Sequence, residues 1–462
     1  MIDVTSPDTA KPGGRLAFGV ATASYQVEGA TTADGRGPSI WDTFSAVPGA
    51  IADGSDGSVA CGSYERLDDD LELIGGLGVD LYRFSVAWPR VQPEGSGPVE
   101  SRGLDYYNRL VDGLLARGIR PLPTLYHWDL PQPLEDAGGW PVRDTAERFA
   151  DYAAIVAGRI GDRVEQWATL NEPWCSAFLG YAAGIHAPGR REPEAAYAAA
   201  HHLLLGHALA GGRLRDAGDV GIVLNLYPVW QENHDAAAAA AAVDAIQNRL
   251  WLDPLLQGRY PEDIVSMAPH LANGPLVRDG DLDLVSGSLD WLGVNYYTPH
   301  RVAAGAENGG GSDQLPPAFF PGAPPFRFAP RDPRTTMGWE IEPRGLEELL
   351  VGLSQQAPHL PMMVTENGAA LDDASRRDDG SVDDPDRIAY LREHIGAVQR
   401  ARAAGADVRA YLAWTLLDNF EWAEGYRKTF GLVEVEQGTL RRIPKASYEW
   451  FAQQVHADGL IP

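Results

Sequence analysis

The sequence predicts a single (β/α)8 barrel domain that occupies residues 1–462. Three observations predict this fold. Short β-rich runs alternate with segments of helical apolar spacing, the alternation occurs eight times, and several helical segments end at a glycine just before the next strand. Strict alternation of strands and helices implies parallel strands joined by right-handed crossovers. Eight such units favour a closed barrel over an open sheet, and no glycine-rich phosphate-binding loop follows Val20.

The predicted strands are short apolar runs bounded by polar or turn residues. They cover residues 16–21, 79–84, 120–125, 164–170, 220–226, 290–295, 361–365 and 409–414. The predicted helices carry apolar residues at spacings of three and four. They include 64–77, 104–117, 145–159, 194–215 and 385–404. Two segments do not follow this rhythm: residues 1–13 are predicted to be a flexible tail, and the Gly- and Pro-rich segment 305–330 a long loop over the barrel mouth.

Composition limits the possible partners. The chain has 64 acidic against 38 basic residues and a net charge of −26. Such a surface repels nucleic acid and anionic membranes, so a neutral small molecule is the predicted partner, and no cofactor is predicted. The sequence shows no secretory leader and no apolar run long enough to span a bilayer, and its two cysteines are too few for a disulfide framework. These features predict a cytoplasmic protein.

Polar and aromatic residues follow seven of the eight predicted strands. In a βα barrel the carboxyl ends of the strands form one rim, which carries the active site. Taken singly, each of these residues is more typical of a structural role, and only their joint position at strand ends predicts a site. Tryptophan faces stack on sugar rings, while amides, carboxylates and imidazole bind hydroxyls, so the set indicates a carbohydrate ligand. The rim residues are Gln26, Arg83, His127, Trp128, Asn171, Glu172, Trp174, Asn295, Tyr297, Glu366, Trp414, Glu421 and Trp422.

Two of these residues, Glu172 and Glu366, are carboxylates that directly follow apolar strands. They belong to the fourth and seventh predicted strands, which lie on opposite sides of an eight-stranded ring. The two groups can therefore face each other across one sugar. A pair of facing carboxylates is what glycoside hydrolysis requires.

On these residues the sequence resembles the family 1 glycoside hydrolases, the β-glucosidase-type barrel enzymes. Residues 169–173, Thr-Leu-Asn-Glu-Pro, match the acid/base motif of that family, and residues 365–368, Thr-Glu-Asn-Gly, match its nucleophile motif. The two motifs occur in the expected order and are specific in combination. The resemblance extends over nearly the whole chain, from residues 18–29 to residues 426–432. Only the N-terminal tail and segment 305–330 look individual.

The resemblance implies a role for each site residue. Glu366 is expected to be the nucleophile, Glu172 the acid/base, and the two displacements retain the β configuration. Arg83 and Tyr297 are expected to hold Glu366 ionised and oriented, and Asn171 to bind the sugar 2-hydroxyl. The remaining expected site residues support catalysis (Asn295), bind or stack on the glycone (Gln26, His127, Trp128, Trp414, Glu421, Trp422, Phe430) or line the aglycone side (Trp174, Trp339).

Two positions distinguish branches of the family. In the 6-phospho-β-glycosidases the position of Glu421 is not acidic, so a carboxylate here predicts neutral rather than phosphorylated sugars. In the plant thioglucosidases the acid/base position is typically Gln, so Glu172 predicts ordinary O-glycosides. Cys175, close by, is interpreted as a small buried apolar residue.

Three alternative functions follow from the same residues. One is a sugar-binding barrel without catalysis, which the presence of both glutamates and Arg83 disfavours. A second is a transglycosidase that uses the same covalent intermediate. A third, weaker, alternative is a metal hydrolase. His201 and His202 are adjacent on a predicted helix and therefore on different faces, so no metal site is predicted.

Overall fold

Eight parallel strands pair edge to edge and close into a barrel in which neighbours are consecutive along the chain. The structure is a computed structural model and describes residues 14–272, 274–305, 317–372, 374–378 and 380–457. The (β/α)8 barrel is confirmed, and the strand bounds differ from those predicted by no more than two residues. The barrel strands are β1 Ala17–Ala21, β2 Leu81–Ser85, β3 Arg120–Tyr126, β4 Gln166–Asn171, β5 Asp219–Asn225, β6 Trp291–Asn295, β7 Met362–Asn367 and β8 Val408–Trp414.

Helices surround the barrel and place their apolar faces against it. In the second helix, for example, Leu104, Leu110 and Leu114 are buried on one face. The first helix ends at Gly78, whose φ of 67° is the left-handed conformation that favours glycine. The eight outer helices are α1 Leu67–Leu77, α2 Ser101–Leu115, α3 Arg143–Ile160, α4 Pro193–Leu214, α5 Leu250–Gln257, α6 Pro343–Gln356, α7 Pro385–Ala403 and α8 Ala446–His456.

Shorter helices lie in the connections between strands and outer helices. The α-helices are Ser24–Val27, Ile40–Ser45, Trp88–Val91, Gln132–Asp136, Ala237–Asp244, Glu262–Met267 and Asp281–Ser286, the π-helices Cys175–Ala183 and Ala245–Arg249, and the 3-10 helices Ala33–Gly35, His234–Ala236, Pro269–Leu271, Pro317–Phe319 and Trp422–Glu424. No helix in the described part of the chain is both long enough and apolar enough to cross a membrane.

A compact apolar layer fills the inside of the barrel. It is a cluster separate from the much larger core between strands and helices, and all eight strands contribute to it. Because these side chains close the barrel from within, polar groups further along the strands line a site with a solid apolar floor. The layer consists of Ala17, Leu81, Leu122, Ala168, Val223, Trp291, Met363, Ala410 and Leu412.

Irregular pairing interrupts β4 and β7 just before their carboxyl ends. In β4 the register against β5 shifts between Ala168 and Asn171, and in β7 the register against β6 shifts between Val364 and Glu366. A bulge changes the face towards which the following side chains point. Ala168 lies inside the barrel and regular alternation would place Leu170 there too, yet Leu170 packs in the outer core and Asn171 enters the site. The bulges thus help to direct the side chains at the ends of both strands into the site.

The described residues also form three small sheets outside the barrel. Val229–Gln231, His300–Ala304 and Phe326–Phe328 form one, Ser375–Arg376 pairs with Val382–Asp383, and Val433–Val435 pairs with Arg442–Pro444. The segment predicted as a long loop therefore carries a strand at 326–328 and a 3-10 helix at 317–319. Its residues 306–316 and the predicted flexible tail, 1–13, lie outside the described residues.

Candidate active site

Glu366 lies at the end of β7, and protein donors hold both of its carboxylate oxygens. Arg83 donates from Nη1 to Oε1 at 2.6 Å, and the Tyr297 hydroxyl donates to Oε2 at 2.8 Å. Arg83 is itself fixed by donation from Nε to Thr124 Oγ1 at 2.9 Å. Burial raises the pKa of Glu366, and the adjacent charge of Arg83 limits this rise.

Glu172 directly follows β4, with a φ of 43°, which is unusual for a residue other than glycine. Asn295 Nδ2 donates to its Oε1 at 2.8 Å, and the Cys175 thiol lies 3.2 Å from its Oε2. Burial, followed by the charge of Glu366, raises the pKa of Glu172 to about 8. The site therefore keeps Glu172 protonated at neutral pH.

A network of amides links the two carboxylates. Asn171 Oδ1 accepts from Arg83 Nη2 at 2.6 Å and from Asn295 Nδ2 at 3.1 Å. Thr365 Oγ1 donates to Asn295 Oδ1 at 2.7 Å, and this contact turns the amide NH2 of Asn295 towards Glu172. The position of Glu172 is thus tied to the same residues that hold Arg83 against Glu366.

His127 and Gln26 each present an unpaired polar atom within the site. Asn171 Nδ2 lies 3.0 Å from His127 Nε2, so that nitrogen accepts and Nδ1 carries the proton. Burial lowers the pKa of His127 well below its ordinary value, so the ring is neutral. Among the described residues His127 Nδ1 and Gln26 Oε1 have no hydrogen-bond partner. A buried donor and a buried acceptor are therefore available to hydroxyl groups of a bound molecule.

Glu421 is a third carboxylate in the same site. Gln26 Nε2 donates to it at 3.4 Å, and burial together with the charges of Glu366 and Glu172 raises the pKa of Glu421 to about 8. The basic residues nearby in sequence are engaged elsewhere. Arg427 pairs with Glu424 at 2.7 Å, and Lys428 donates to the backbone carbonyl of Thr336.

An aromatic cluster forms one wall of the site. His127 stacks near Trp414 and Trp422, with centroids 5.8 Å apart in both pairs. Trp422 also packs on Trp128 at 4.5 Å. Trp128 and Trp422 both have positive φ, at 74° and 48°, and Trp128 Nε1 donates to the Asn171 carbonyl at 2.9 Å. The indole N–H of Trp128 is therefore used inside the protein.

The remaining predicted aromatic residues pack in two other groups. Trp339 packs on Tyr297 at 5.3 Å, and Phe430 lies 6.1 Å from the same ring. Trp174 packs on Phe320 at 5.5 Å. Phe320 belongs to the described part of the segment predicted to cover the mouth, so this segment lies against the predicted aglycone side.

Sequence reasoning missed two groups beside Glu172. Cys175 is buried as expected, but its thiol contacts the Glu172 carboxylate rather than apolar groups alone. Asn225, at the end of β5, donates from Nδ2 to Cys175 Sγ at 3.6 Å. The fifth strand was the one without a predicted site residue. A buried polar residue at its carboxyl end was the available signal.

The two adjacent histidines of α4 have separate structural partners. His201 contacts Tyr260 at 2.9 Å and Asp281 at 3.1 Å, while His202 Nδ1 lies 3.1 Å from the Trp140 carbonyl. Within the described ranges no three His, Cys, Asp or Glu side chains are grouped as metal ligands would be.

The two central carboxyl groups have opposite environments. Glu366 lies against a guanidinium and a phenol and can act as an oriented carboxylate. Glu172 is held by weaker, neutral donors and keeps its proton. Environments that separate the roles of two carboxyl groups in this way assign one as nucleophile or stabiliser and the other as acid.

Comparison with known proteins gives consistent matches over nearly the whole chain. Residues 12–460 match the model of Glycosyl hydrolase family 1. The thermostable beta-glucosidase B of Thermobispora bispora is 50% identical over 447 residues, which are 96% of this chain and 90% of that protein.

Solved structures of beta-glucosidases also match nearly the whole chain. The crystal structure of psychrophilic beta-glucosidase BglU from Micrococcus antarcticus superposes with a TM-score of 0.92 at 45% identity and covers 96% of this chain and 97% of that chain. The beta-glucosidase from Thermotoga maritima in complex with deoxynojirimycin has a TM-score of 0.88 at 42% identity, with 98% and 99% covered.

Proposed function

The chain belongs to glycosyl hydrolase family 1, and from this premise we propose that Glu366 is its nucleophile and Glu172 its acid/base. The protein is a β-glucosidase-type retaining glycoside hydrolase. The observation that carries the assignment of roles is the unequal environment of the two carboxyl groups. An arginine holds Glu366, whereas burial keeps the proton on Glu172.

In the first step the Glu366 carboxylate attacks the anomeric carbon as the glycosidic C–O bond breaks. Glu172 gives its proton to the departing oxygen, so the aglycone leaves as an alcohol. Arg83 and Tyr297 keep Glu366 oriented for this attack. The product of the step is a covalent α-glycosyl ester of Glu366.

In the second step water replaces Glu366 at the anomeric carbon. The charge of Glu366 is absent from the ester, and its contribution to the raised pKa of Glu172 disappears with it. Glu172 is now ionised more easily, so it can take a proton from the attacking water. The ester bond breaks, Glu366 regains its charge, and two inversions leave the β configuration.

The remaining site residues bind the sugar in this proposal. Asn171 holds the 2-hydroxyl, His127 and Gln26 use their unpaired atoms on other hydroxyls, and Trp414 supports a ring face. Asn295 orients Glu172. Glu421, Trp422, Trp128 and Phe430 complete the glycone site, and Trp174 and Trp339 line the aglycone side.

Trapping of the covalent intermediate tests this assignment. Incubation with 2,4-dinitrophenyl 2-deoxy-2-fluoro-β-glucoside is expected to release one dinitrophenolate per active site and to inactivate the enzyme, because fluorine slows the second step. Peptide mass spectrometry should then locate the fluoroglucosyl group on Glu366. A label on Glu172 or Glu421 would contradict the assignment.

We propose that the glycone is neutral, and in this proposal Glu421, which accepts from Gln26 Nε2 at 3.4 Å, is next to a substituent of the sugar. An ionised Glu421 and a phosphate charge ~4 Å apart repel by about 4 kcal/mol at an effective dielectric of ~20, or roughly a thousandfold in rate. The raised pKa of Glu421, about 8, means that this repulsion grows as pH rises towards that value.

The preference for neutral substrates should therefore depend on pH. We expect kcat/KM for p-nitrophenyl β-glucoside to exceed that for its 6-phosphate by a larger factor at pH 8 than at pH 6. Glu421→Gln should reduce the change between the two pH values. Glu434→Gln, which alters a carboxylate paired with Arg376, serves as the control and should keep the wild-type ratio. Comparable values for both substrates at pH 8 in the wild type would refute a neutral glycone site.

The cytoplasm is the proposed location. Both cysteines are free and buried, which is compatible with a reducing compartment. Fractionation of the native host followed by immunodetection would test it.

A further inference from the structure

The side of Glu172 that faces away from Asn295 is occupied by a thiol. Cys175 Sγ lies 3.2 Å from Glu172 Oε2, and both residues are buried. Local backbone geometry sets this contact. The Cys175 amide donates to the Glu172 carbonyl at 2.9 Å, and the π-helix Cys175–Ala183 begins at this turn. The thiol is therefore held over the carboxyl group by the turn that ends β4.

Asn225 determines the direction in which the thiol hydrogen points. Its Nδ2 donates to Cys175 Sγ at 3.6 Å, and its backbone carbonyl accepts from Gln247 Nε2 at 2.8 Å. A thiol is a weak donor and a weak acceptor. Because Asn225 occupies the accepting side of the sulfur, the S–H hydrogen is left to donate to Glu172.

A donor on Oε2 favours the ionised form of Glu172, since a carboxylate accepts a hydrogen bond more strongly than a carboxylic acid does. The ionised form is the one that takes the proton from water in the second step. Burial, then the charge of Glu172, raises the pKa of Cys175 well above that of a free thiol. The thiol therefore stays protonated and can donate in both steps.

We infer that Cys175 is a positioning residue of the hydrolysis: its thiol, turned by Asn225, holds Oε2 of Glu172 and stabilises the carboxylate needed to activate water. This inference rests on the proposed role of Glu172 as acid/base. Other ionisable groups also act on Glu172 and are unchanged by substitutions at Cys175. They are Glu366 on β7, Arg83 on β2, Tyr227 after β5, Tyr297 after β6 and Glu421 after β8.

The test is the alkaline limb of the kcat/KM profile of the full-length enzyme with p-nitrophenyl β-glucoside. Cys175→Val is similar in size but has no donor, so we expect the limb to move to higher pH by roughly half a unit to one unit. Cys175→Ser restores a donor, so its alkaline limb should occur at the wild-type pH or at a lower pH. Cys175→Ala provides a second donor-free variant if the valine variant does not fold.

Two further comparisons complete the experiment. Cys61→Val removes the other buried thiol, which donates to the Asp418 carbonyl at 3.3 Å, and should leave the limb unmoved. Asn225→Ala alone should move the alkaline limb to higher pH. In the Cys175→Val variant it should cause no further shift, because both changes act through the same thiol hydrogen.

Different results would contradict the role of Cys175 and the role of Glu172. If Glu172→Gln removes the limb but the donor-free variants leave it in place, Glu172 is the acid and Cys175 does not position it. If the alkaline limb shifts equally in the valine and serine variants, the effect comes from packing. That result would contradict the role of the thiol as a hydrogen-bond donor. A limb that persists in Glu172→Gln contradicts the proposed function itself.

Discussion

Replacement of Glu366 by alanine should lower kcat by on the order of 10⁴-fold or more while the barrel stays folded. The variant loses the group that forms the covalent intermediate, and no other carboxylate can take its place. Glu172 and Glu421 both lack a partner like Arg83. Burial of an unpaired Arg83 costs some stability, so circular dichroism and Tm should accompany the rate measurements.

Rescue distinguishes a lost nucleophile from a damaged site. Azide or formate fits the space left by the side chain and attacks the anomeric carbon once, so the rescued product should have the α configuration by NMR. Glu449→Ala on the exposed face of α8 is the matched control and should behave as the wild type. Wild-type activity in the Glu366 variant, or a β-configured rescue product, would remove Glu366 from the nucleophile role.

Replacement of Glu172 by glutamine should lower kcat on substrates with poor leaving groups by roughly 10²–10⁴-fold. Aryl glucosides with acidic phenols should lose less in the first step, because their oxygen needs no proton to leave. The wild-type rate should fall as pH rises through about 8, the raised pKa of Glu172, since the first step needs its proton. Glutamine does not titrate, so this alkaline limb should disappear in the variant.

Azide again supplies a diagnostic product. It attacks the α-glycosyl ester without help from a base, so it should restore turnover of the Glu172 variant and yield the β-glycosyl azide. Glu165→Gln, which changes an exposed carboxylate just before β4, controls for the loss of a carboxylate next to the same strand. An unchanged alkaline limb in Glu172→Gln would exclude Glu172 as the acid.

The barrel could be predicted because periodicity and strand ends are local properties of the chain. Each apolar run that was predicted to be a strand became one, and the polar and aromatic residues predicted at the ends of seven of these strands contact one another. The bulges before Asn171 and Glu366 could not be predicted in this way. They depend on the register against neighbouring strands, which is a tertiary property.

Other features of the structure could not be predicted from local sequence patterns either. Residues 175–183 are all buried and mostly apolar, without a polar face that recurs at helical spacing, so the π-helix leaves no periodic signal. Cys175 looks like an apolar residue until the fold places it beside Glu172. In the Gly- and Pro-rich segment, the strand Phe326–Phe328 forms because it pairs with His300–Ala304.

The carboxyl groups of the site also affect the free energy of unfolding. Glu172 and Glu421 titrate near pH 8 in the folded protein, against 4.5 for an unperturbed glutamate such as those of the unfolded chain. Between these values the unfolded chain has released protons that the folded protein retains, so the contribution of these two groups to stability decreases as pH rises from about 4.5 towards 8 and then levels off. Below pH 4.5 both states hold the protons and the two groups impose no such penalty. The same retained proton that equips Glu172 to act as an acid at neutral pH thus lowers the stability of the folded barrel once the solution becomes mildly basic.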